Sequence, residues 1–324
     1  MLAIFRFPDL VDAARGGERG LLDQFDAVCS DAGAFGLTDV PLDPDLLARV
    51  HGATLDLFQL PQQVKSRLRS SDGDQFVGWK GQADNRNEFG FPDHKEMFHI
   101  GPRVDPALRG PDGNGRLPAP APEVEEARCS LWPAELPSLS RSWHAYYRAM
   151  QGLTSQLGEV MAAALGVPLQ RWRELITDNW SDLAANYYPP ASRSASPTPA
   201  VRNALHSDLT LFTVLFQDAG GGGGLRMQAR DGAWLDVPPV EGQFLVNIGE
   251  LLTYLTSDRW WAVPHEVTPA DLSVSGSDTV RISIPFFHRP NDSHVVTPFA
   301  SVETPTSLNV GDWVRDRKLQ AQGT

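Results

Sequence analysis

From Leu183 to Phe287 the chain is cut into seven short apolar runs, LAANYY, LTLFTVLF, LRMQA, AWLDV, FLVNI, AVPHEV and VRISIPFF, separated by Gly, Pro and Asp. Runs of this length, rich in Val, Ile, Leu and aromatic residues and bounded by turn formers, are too short for stable helices and read as strands. Several of them in close succession call for an antiparallel sandwich or barrel. The glycine run Gly220 to Gly224 lies between two of these runs. It lacks the Lys-Ser/Thr ending and the following helix of a phosphate-binding loop, so it is expected to be a hairpin connection.

The N-terminal half has a different texture and reads as helical. Residues 20–32 carry apolar groups at helical spacing, and Gly33 and Gly36 lead into an apolar stretch from Phe35 to Val40. Asp43 can cap a second helix with Pro44 in its first turn, continuing to about Arg69 with a break at Pro61. A third is expected from Ser138 to Leu165, stopped by Gly166 and Pro168. The Pro-, Gly- and Ala-rich residues 101–137 read as an exposed loop. No internal repeat is present. One catalytic domain spanning 1–324 follows, with a helix-rich part (1–180), a β core (181–298) and a C-terminal segment (299–324).

Bulk properties exclude several functions. Two cysteines, Cys29 and Cys129, cannot build a disulfide framework or a thiolate metal site. A net charge of -12 with scattered basic residues argues against nucleic-acid binding. No apolar run approaches the roughly 20 residues that span a bilayer, and the N-terminus lacks the pattern of a signal peptide. A cytoplasmic protein with no membrane or nucleic-acid partner is expected, and nothing demands an oligomer.

Of eight histidines, only His206 opens a His-x-Asp triplet, His206-Ser207-Asp208, ahead of a strand-like run. In extended chain, residues i and i+2 share a face, so both side chains can reach one ion. A second histidine from another strand would complete a two-histidine, one-carboxylate face that leaves coordination positions open. Spacing leaves three candidates for it: His265, in the run AVPHEV, His288 and His294. His94-Lys95-Glu96 sits in a polar segment without β texture and reads as surface. Further on, strand alternation puts Arg281 and Ser283 on one face of VRISIPFF. A cation and a hydroxyl aimed into an apolar interior need an anionic partner, either an internal carboxylate or a bound one.

In order and spacing, DHKEMFHIG (93–101), NYYPP (186–190), HSDLTLFTVLFQD (206–218), WLDVPP (234–239), VNIGELLTYLTSDRW (246–260), VPHEV and RISIPFF together resemble the isopenicillin N synthase-like branch of the iron(II)/2-oxoglutarate dioxygenases. That group includes deacetoxycephalosporin C synthase, flavonoid dioxygenases and gibberellin oxidases. The resemblance covers most of the chain. It implies a mainly β fold, a distorted double-stranded β-helix or jelly roll with N-terminal and surface helices, and it selects His265 as the third metal ligand. It further implies that Arg281 and Ser283 bind the far carboxylate of 2-oxoglutarate, helped by Tyr188, with Asn186 near the co-substrate.

The implied cofactors are Fe(II), 2-oxoglutarate as co-substrate and O2. The implied reaction is hydroxylation, desaturation or ring formation on a small-molecule metabolite, as in natural-product biosynthesis, with release of succinate and CO2. Two alternatives stand beside it: an iron(II) oxidase of the same fold that does without 2-oxoglutarate, and a non-catalytic binding protein. Ser207 stands where the family often has Thr or Tyr, an outward-facing change, and Glu266 stands where an arginine often follows the distal histidine, which touches only a surface contact. The loops 82–91 and 191–200 and the segment from Phe299 to Lys318 are the candidate specificity elements.

Overall fold

The computed structural model describes residues 2–69, 77–82, 84, 94–102, 104, 105, 108, 131–190, 202–221, 223–269, 279–300 and 307–321. The first part of the chain runs β1 (Ile4–Arg6), α1 (Phe7–Gly16), α2 (Arg19–Asp31), β2 (Ala34–Thr38), α3 (Pro44–Gln59), α4 (Gln62–Ser66), β3 (Gly78–Lys80), β4 (Glu96–Ile100), α5 (Pro137–Leu165) and α6 (Leu169–Ile176). There follow β5 (Asp182–Tyr188), β6 (Asn203–His206), β7 (Phe212–Gln217), β8 (Leu225–Gln228), β9 (Trp234–Asp236), β10 (Phe244–Ile248), α7 (Glu250–Leu255), β11 (His265–Val267), β12 (Arg281–His288), β13 (Val295–Val296), β14 (Leu308–Asn309) and α8 (Val310–Ala321).

Local chemistry accounts for the helix limits. Asp43 Oδ1 accepts from the Asp45 amide at 3.0 Å and Pro44 opens α3, which ends at Leu60 before Pro61 so that α4 is a separate turn. In α5 a buried stripe that includes Trp143, Tyr146, Met150, Leu153, Leu157 and Met161 faces the core, and Gly166 ends the helix in the left-handed conformation at φ 70°. Gly158, on the same helix, is where α6 approaches: a Cβ there would lie 2.4 Å from Nε1 of the fully buried Trp172. Gly158→Ala is therefore expected to push the two helices apart and cost about 1–3 kcal/mol, read as a lower urea midpoint at unchanged slope.

The strands form an eight-stranded sheet in the order β1-β2-β10-β7-β12-β5-β4-β3 and a four-stranded sheet in the order β6-β11-β8-β9. All pairs in both are antiparallel except β1 with β2. The helix side of the large sheet, including Ile282, Ile284 and Phe286 of β12, joins α1, α2, α3 and α5 in the main core, where the Tyr147 and Phe286 rings meet edge to face at 5.2 Å. The other side packs against the small sheet: Ala34, Tyr188 and Leu245 from one meet Leu225, Met227 and Val267 from the other. Two facing sheets with helices packed outside one of them make the jelly roll with flanking helices.

Four of the eight strands in the large sheet come from the first hundred residues, so the N-terminal half is not helical alone. They flank the sheet on both sides: β1 and β2 lie outside β10, and β3 and β4 outside β5. The glycine-rich segment after β7 is no hairpin, because β7 belongs to the large sheet and β8 to the small one. It carries the chain across from one sheet to the other. Among the described residues no helix is long and apolar enough to cross a membrane. Cys129, residues 85–91 and 191–200, and residues 301–306 of the C-terminal segment lie outside the described residues.

Candidate metal centre

β6 ends on His206 and β11 begins on His265, and these two residues are direct partners in the antiparallel ladder. Their rings lie 4.3 Å apart between centroids on the side of the small sheet that faces the large one. The register shifts between His265 and Val267, an irregularity that turns the strand beside the site. Asp208, in the connection to β7, brings Oδ1 to 3.9 Å from Nε2 of each histidine. One donor atom from each of the three falls within 4.8 Å of the others, and no other such cluster of His, Cys, Asp or Glu occurs among the described residues.

Each donor is held from behind. Nδ1 of His206 lies 2.7 Å from Ala204 O and Nδ1 of His265 lies 3.0 Å from Val263 O, so the ring proton sits on Nδ1 and the Nε2 lone pairs point at the carboxylate. Asp208 Oδ2 accepts from Thr213 Oγ1 at 2.6 Å and Asn247 Nδ2 at 2.8 Å, which leaves Oδ1 for the histidines. Burial acts to raise the Asp208 pKa, but His265, His206 and those two hydrogen bonds hold it below the ordinary carboxylate value. His206 keeps 40% of its side chain exposed, yet the crowding of its inner edge and the facing His265 push it down to about 4. At neutral pH Asp208 is charged and His206 neutral, the protonation states that bind a cation. Two imidazoles and one carboxylate converging from one side fit a divalent first-row metal with positions left open.

A second polar group faces the same interior from the large sheet. Arg281 pairs with Tyr188 in the β12–β5 ladder and Ser283 with Asn186, so alternation turns all four side chains to one side. The Arg281 guanidinium, 2% exposed, donates to Ser283 Oγ at 3.3 Å and Gln217 Oε1 at 2.9 Å and lies 4.7 Å from the Tyr188 ring centre. Among the described residues its Nε has no acceptor and Asn186 Oδ1 has no donor. No carboxylate among the described residues pairs with it, and burial pulls its pKa down from the ordinary arginine value. A buried, unneutralised cation with an idle donor fits an anionic guest. Thr213, which holds Asp208, and Gln217, which holds Arg281, lie on the same face of β7 about 13 Å apart along the strand, so one interior connects the two groups.

The other histidines go elsewhere. His288 occupies the helix side of β12, buried, with Nδ1 2.9 Å from Ser181 Oγ, and His294 Nδ1 lies 3.1 Å from Leu175 O. The reading of His94-Lys95-Glu96 as surface is overturned, because Glu96 opens β4 and Lys95 is buried. Glu96 accepts from Lys65 Nζ at 2.6 Å and Trp79 Nε1 at 2.8 Å, while Lys95 Nζ donates to Asn203 Oδ1 at 2.7 Å. Charges paired in this way can sit in an inner strand. Thr213, Gln217 and Asn247 were not singled out from the sequence. Their one signal is polar residues inside otherwise apolar strands, Thr213 and Gln217 in FTVLFQ and Asn247 in FLVNI.

Comparison with known families places these features. Residues 179–290 match the 2OG-Fe(II) oxygenase superfamily, and residues 8–133 match the non-haem dioxygenase in morphine synthesis N-terminal family. The chain carries a 2OG-Fe(II) oxygenase superfamily domain. Among curated relatives, the 2-oxoglutarate-Fe(II) type oxidoreductase ppzC of Metarhizium majus is 29% identical over 73% of this chain. The chain spans 63% of the length of that relative. The validamycin A dioxygenase of Streptomyces hygroscopicus subsp. limoneus is 27% identical over 93% of this chain and 81% of its own length. Among solved structures, a full-length Neurospora crassa protein in complex with alpha-KG superposes with a TM-score of 0.78 at 20% identity, covering 98% of this chain and 95% of that one.

The two departures in the motif are both structural. Ser207 does not face outward idly: its Oγ donates to Glu250 Oε1 at 2.8 Å. Glu266 is no loose surface contact either, since it is 12% exposed and paired across the ladder with Arg226, whose guanidinium stacks on Trp234 at 4.5 Å. The charge after the distal histidine is thus reversed and balanced by the neighbouring strand.

Proposed function

We propose that this oxygenase holds iron(II) through His206, Asp208 and His265 and anchors 2-oxoglutarate through Arg281 and Ser283, with Tyr188 and Asn186 beside it, to oxidise a small-molecule metabolite. The observation that carries this reading is the buried Arg281, without a carboxylate partner among the described residues, facing the same interior between the two sheets as the His-Asp-His cluster. Iron(II) with 2-oxoglutarate supplies the activation of O2, yielding succinate, CO2 and an oxidised substrate by hydroxylation, desaturation or ring formation.

The chain's own residues position and shield. Thr213 and Asn247 fix which oxygen of Asp208 faces the metal, and Ala204 and Val263 carbonyls fix the histidine tautomers. The Tyr188 ring covers the guanidinium and packs with Leu225, Met227 and Val267 in the apolar cluster between the sheets. The dioxygenase and oxidoreductase names of the relatives support a small molecule, such as a natural-product intermediate, as substrate. A cytoplasmic location, with that small molecule as partner and no nucleic acid or membrane, completes the reading.

Anaerobic titration tests the reading. Adding 2-oxoglutarate to the iron(II) protein is expected to raise a metal-to-ligand charge-transfer band that saturates at one equivalent per chain. Absence of the band, together with product formed without 2-oxoglutarate, would replace this reading by the oxidase one. Failure to bind iron(II) with micromolar affinity would leave a binding protein.

A further inference from the structure

Ser207 lies between His206 and Asp208, and what it touches belongs to a different part of the chain. Residues 207–211 are laid against the start of α7 by four hydrogen bonds. Ser207 Oγ donates to Glu250 Oε1 at 2.8 Å, and the Glu250 amide donates to Asp208 O at 2.8 Å. The Gly249 amide donates to Leu211 O at 2.9 Å and the Leu251 amide to Thr210 O at 3.1 Å. The approach is so close that a Cβ on Gly249 would lie 2.2 Å from Thr210 O. Glu250 thus grips the segment carrying two members of the triad from both its side chain and its backbone.

The second carboxylate oxygen of Glu250 is turned the other way. Oε2 lies 3.6 Å from Nη1 of Arg317 in the C-terminal helix α8, and that guanidinium rests 5.7 Å from the Trp313 ring. The helix is itself tied down at its start, where the buried Val310 donates to His294 O at 2.9 Å and Gly311 to Asp292 O at 2.9 Å. A continuous path therefore runs from α8 through Arg317 and Glu250 to Ser207. Its two links are unequal. The contact to Ser207 is a charge-assisted hydrogen bond, whereas Arg317 is half exposed and its ion pair is screened by solvent.

We infer that Glu250 is a positioning residue for the metal-holding segment, and that α8 contributes to the same positioning through Arg317. This rests on the reading of His206, Asp208 and His265 as the iron site. The C-terminal segment then serves the metal centre as a brace, whatever it also does for substrate choice. The carboxylate acts on His206 and Asp208 through the Ser207 hydroxyl and the Asp208 carbonyl, touching no ligand atom itself. Residues that orient metal ligands typically alter affinity by about 10- to 100-fold when removed. An indirect brace belongs at the lower end of that range.

The test measures metal rather than turnover: iron(II) affinity by anaerobic calorimetry, and the visible spectrum of the cobalt(II)-loaded protein at saturation. Ser207→Ala and Glu250→Ala are each expected to weaken iron(II) binding by about tenfold and to shift the cobalt(II) bands. Ser207→Thr, which keeps the hydroxyl, should restore both. Glu250→Gln, which keeps an acceptor for Ser207 but loses the charge facing Arg317, should fall between, as should Arg317→Ala. Wild-type affinity and spectrum in both Ser207→Ala and Glu250→Ala would overturn the inference. Should Glu250→Ala fail to fold, Ser207→Ala alone decides it, because that change removes one surface-accessible hydroxyl. A wild-type protein that binds neither metal would instead overturn the triad reading on which the inference stands.

Discussion

Arg281→Leu is expected to raise the 2-oxoglutarate requirement by two or more orders of magnitude while leaving iron(II) binding intact. The guanidinium is buried and donates to Ser283 and Gln217, both neutral, and its Nε has no acceptor among the described residues. A carboxylate entering this pocket would find the Arg281 guanidinium as its charge partner. Removing one partner of such a buried pair costs about 3–5 kcal/mol, and each 1.4 kcal/mol or so is tenfold in affinity. Arg281→Leu should at the same time leave the ligand-free protein as stable as wild type or more so. In that state the change removes a desolvated charge that only the Tyr188 ring and neutral acceptors compensate. Opposite signs on co-substrate affinity and on the denaturation midpoint would be hard to obtain from a residue whose role is structural. Equal 2-oxoglutarate dependence in wild type and variant would remove Arg281 from the co-substrate site.

Asp208→Asn should abolish iron(II) binding with little change in the fold. The two oxygens of Asp208 have separate duties: Oδ2 receives Thr213 and Asn247, and Oδ1 faces the two imidazoles. An asparagine can place its carbonyl oxygen where Oδ2 is and keep both hydrogen bonds. Its amide group then points donors at the place where the cation needs a lone pair. Loss of the charge and reversal of the polarity act together, so affinity should drop by at least two orders of magnitude. Calorimetry with iron(II) and a urea transition on the same preparation would check both halves. Asp208→Ala should lose the metal as well but also destabilise by about 1–3 kcal/mol, because it strands the Thr213 and Asn247 donors in a buried place. His288→Ala, on the far side of β12, should bind iron(II) like wild type. Iron lost there and kept in His265→Ala would reassign the third ligand.

Much of this architecture is legible in the sequence where a strand is long or its pattern clean. FLVNI and RISIPFF became β10 and β12 almost residue for residue, because apolar alternation and flanking turn formers specify a strand locally. β4 was hidden by Lys95 and Glu96, which are held by residues far away in sequence, Asn203, Lys65 and Trp79 among them. No local reading of polarity can find such partners. The same limit applies to the third histidine. Strand texture singled out His265 only loosely, since what brings it to His206 is the pairing of β11 with β6 across some sixty residues of chain. The resemblance to a family carried that step, and composition did not. The hold of Thr213 and Asn247 on Asp208 likewise depends on two strands and the connection before β7 meeting in space.

The placement of the first four strands has a consequence for how the protein is made. The inner strands β10, β7, β12 and β5 all come from residues 182–288, and their two outermost members are covered by β2 on one side and β4 on the other. Left bare, those members would each offer a row of unpaired amides and carbonyls to another chain, the usual starting point of aggregation. Synthesis from the N-terminus delivers both covers first. By the time the long-range pairs of the inner sheet can close, which is slow for so non-local a topology, the strands that seal its rims are already at hand. A fragment holding only the β core would keep every proposed metal ligand and lose that protection.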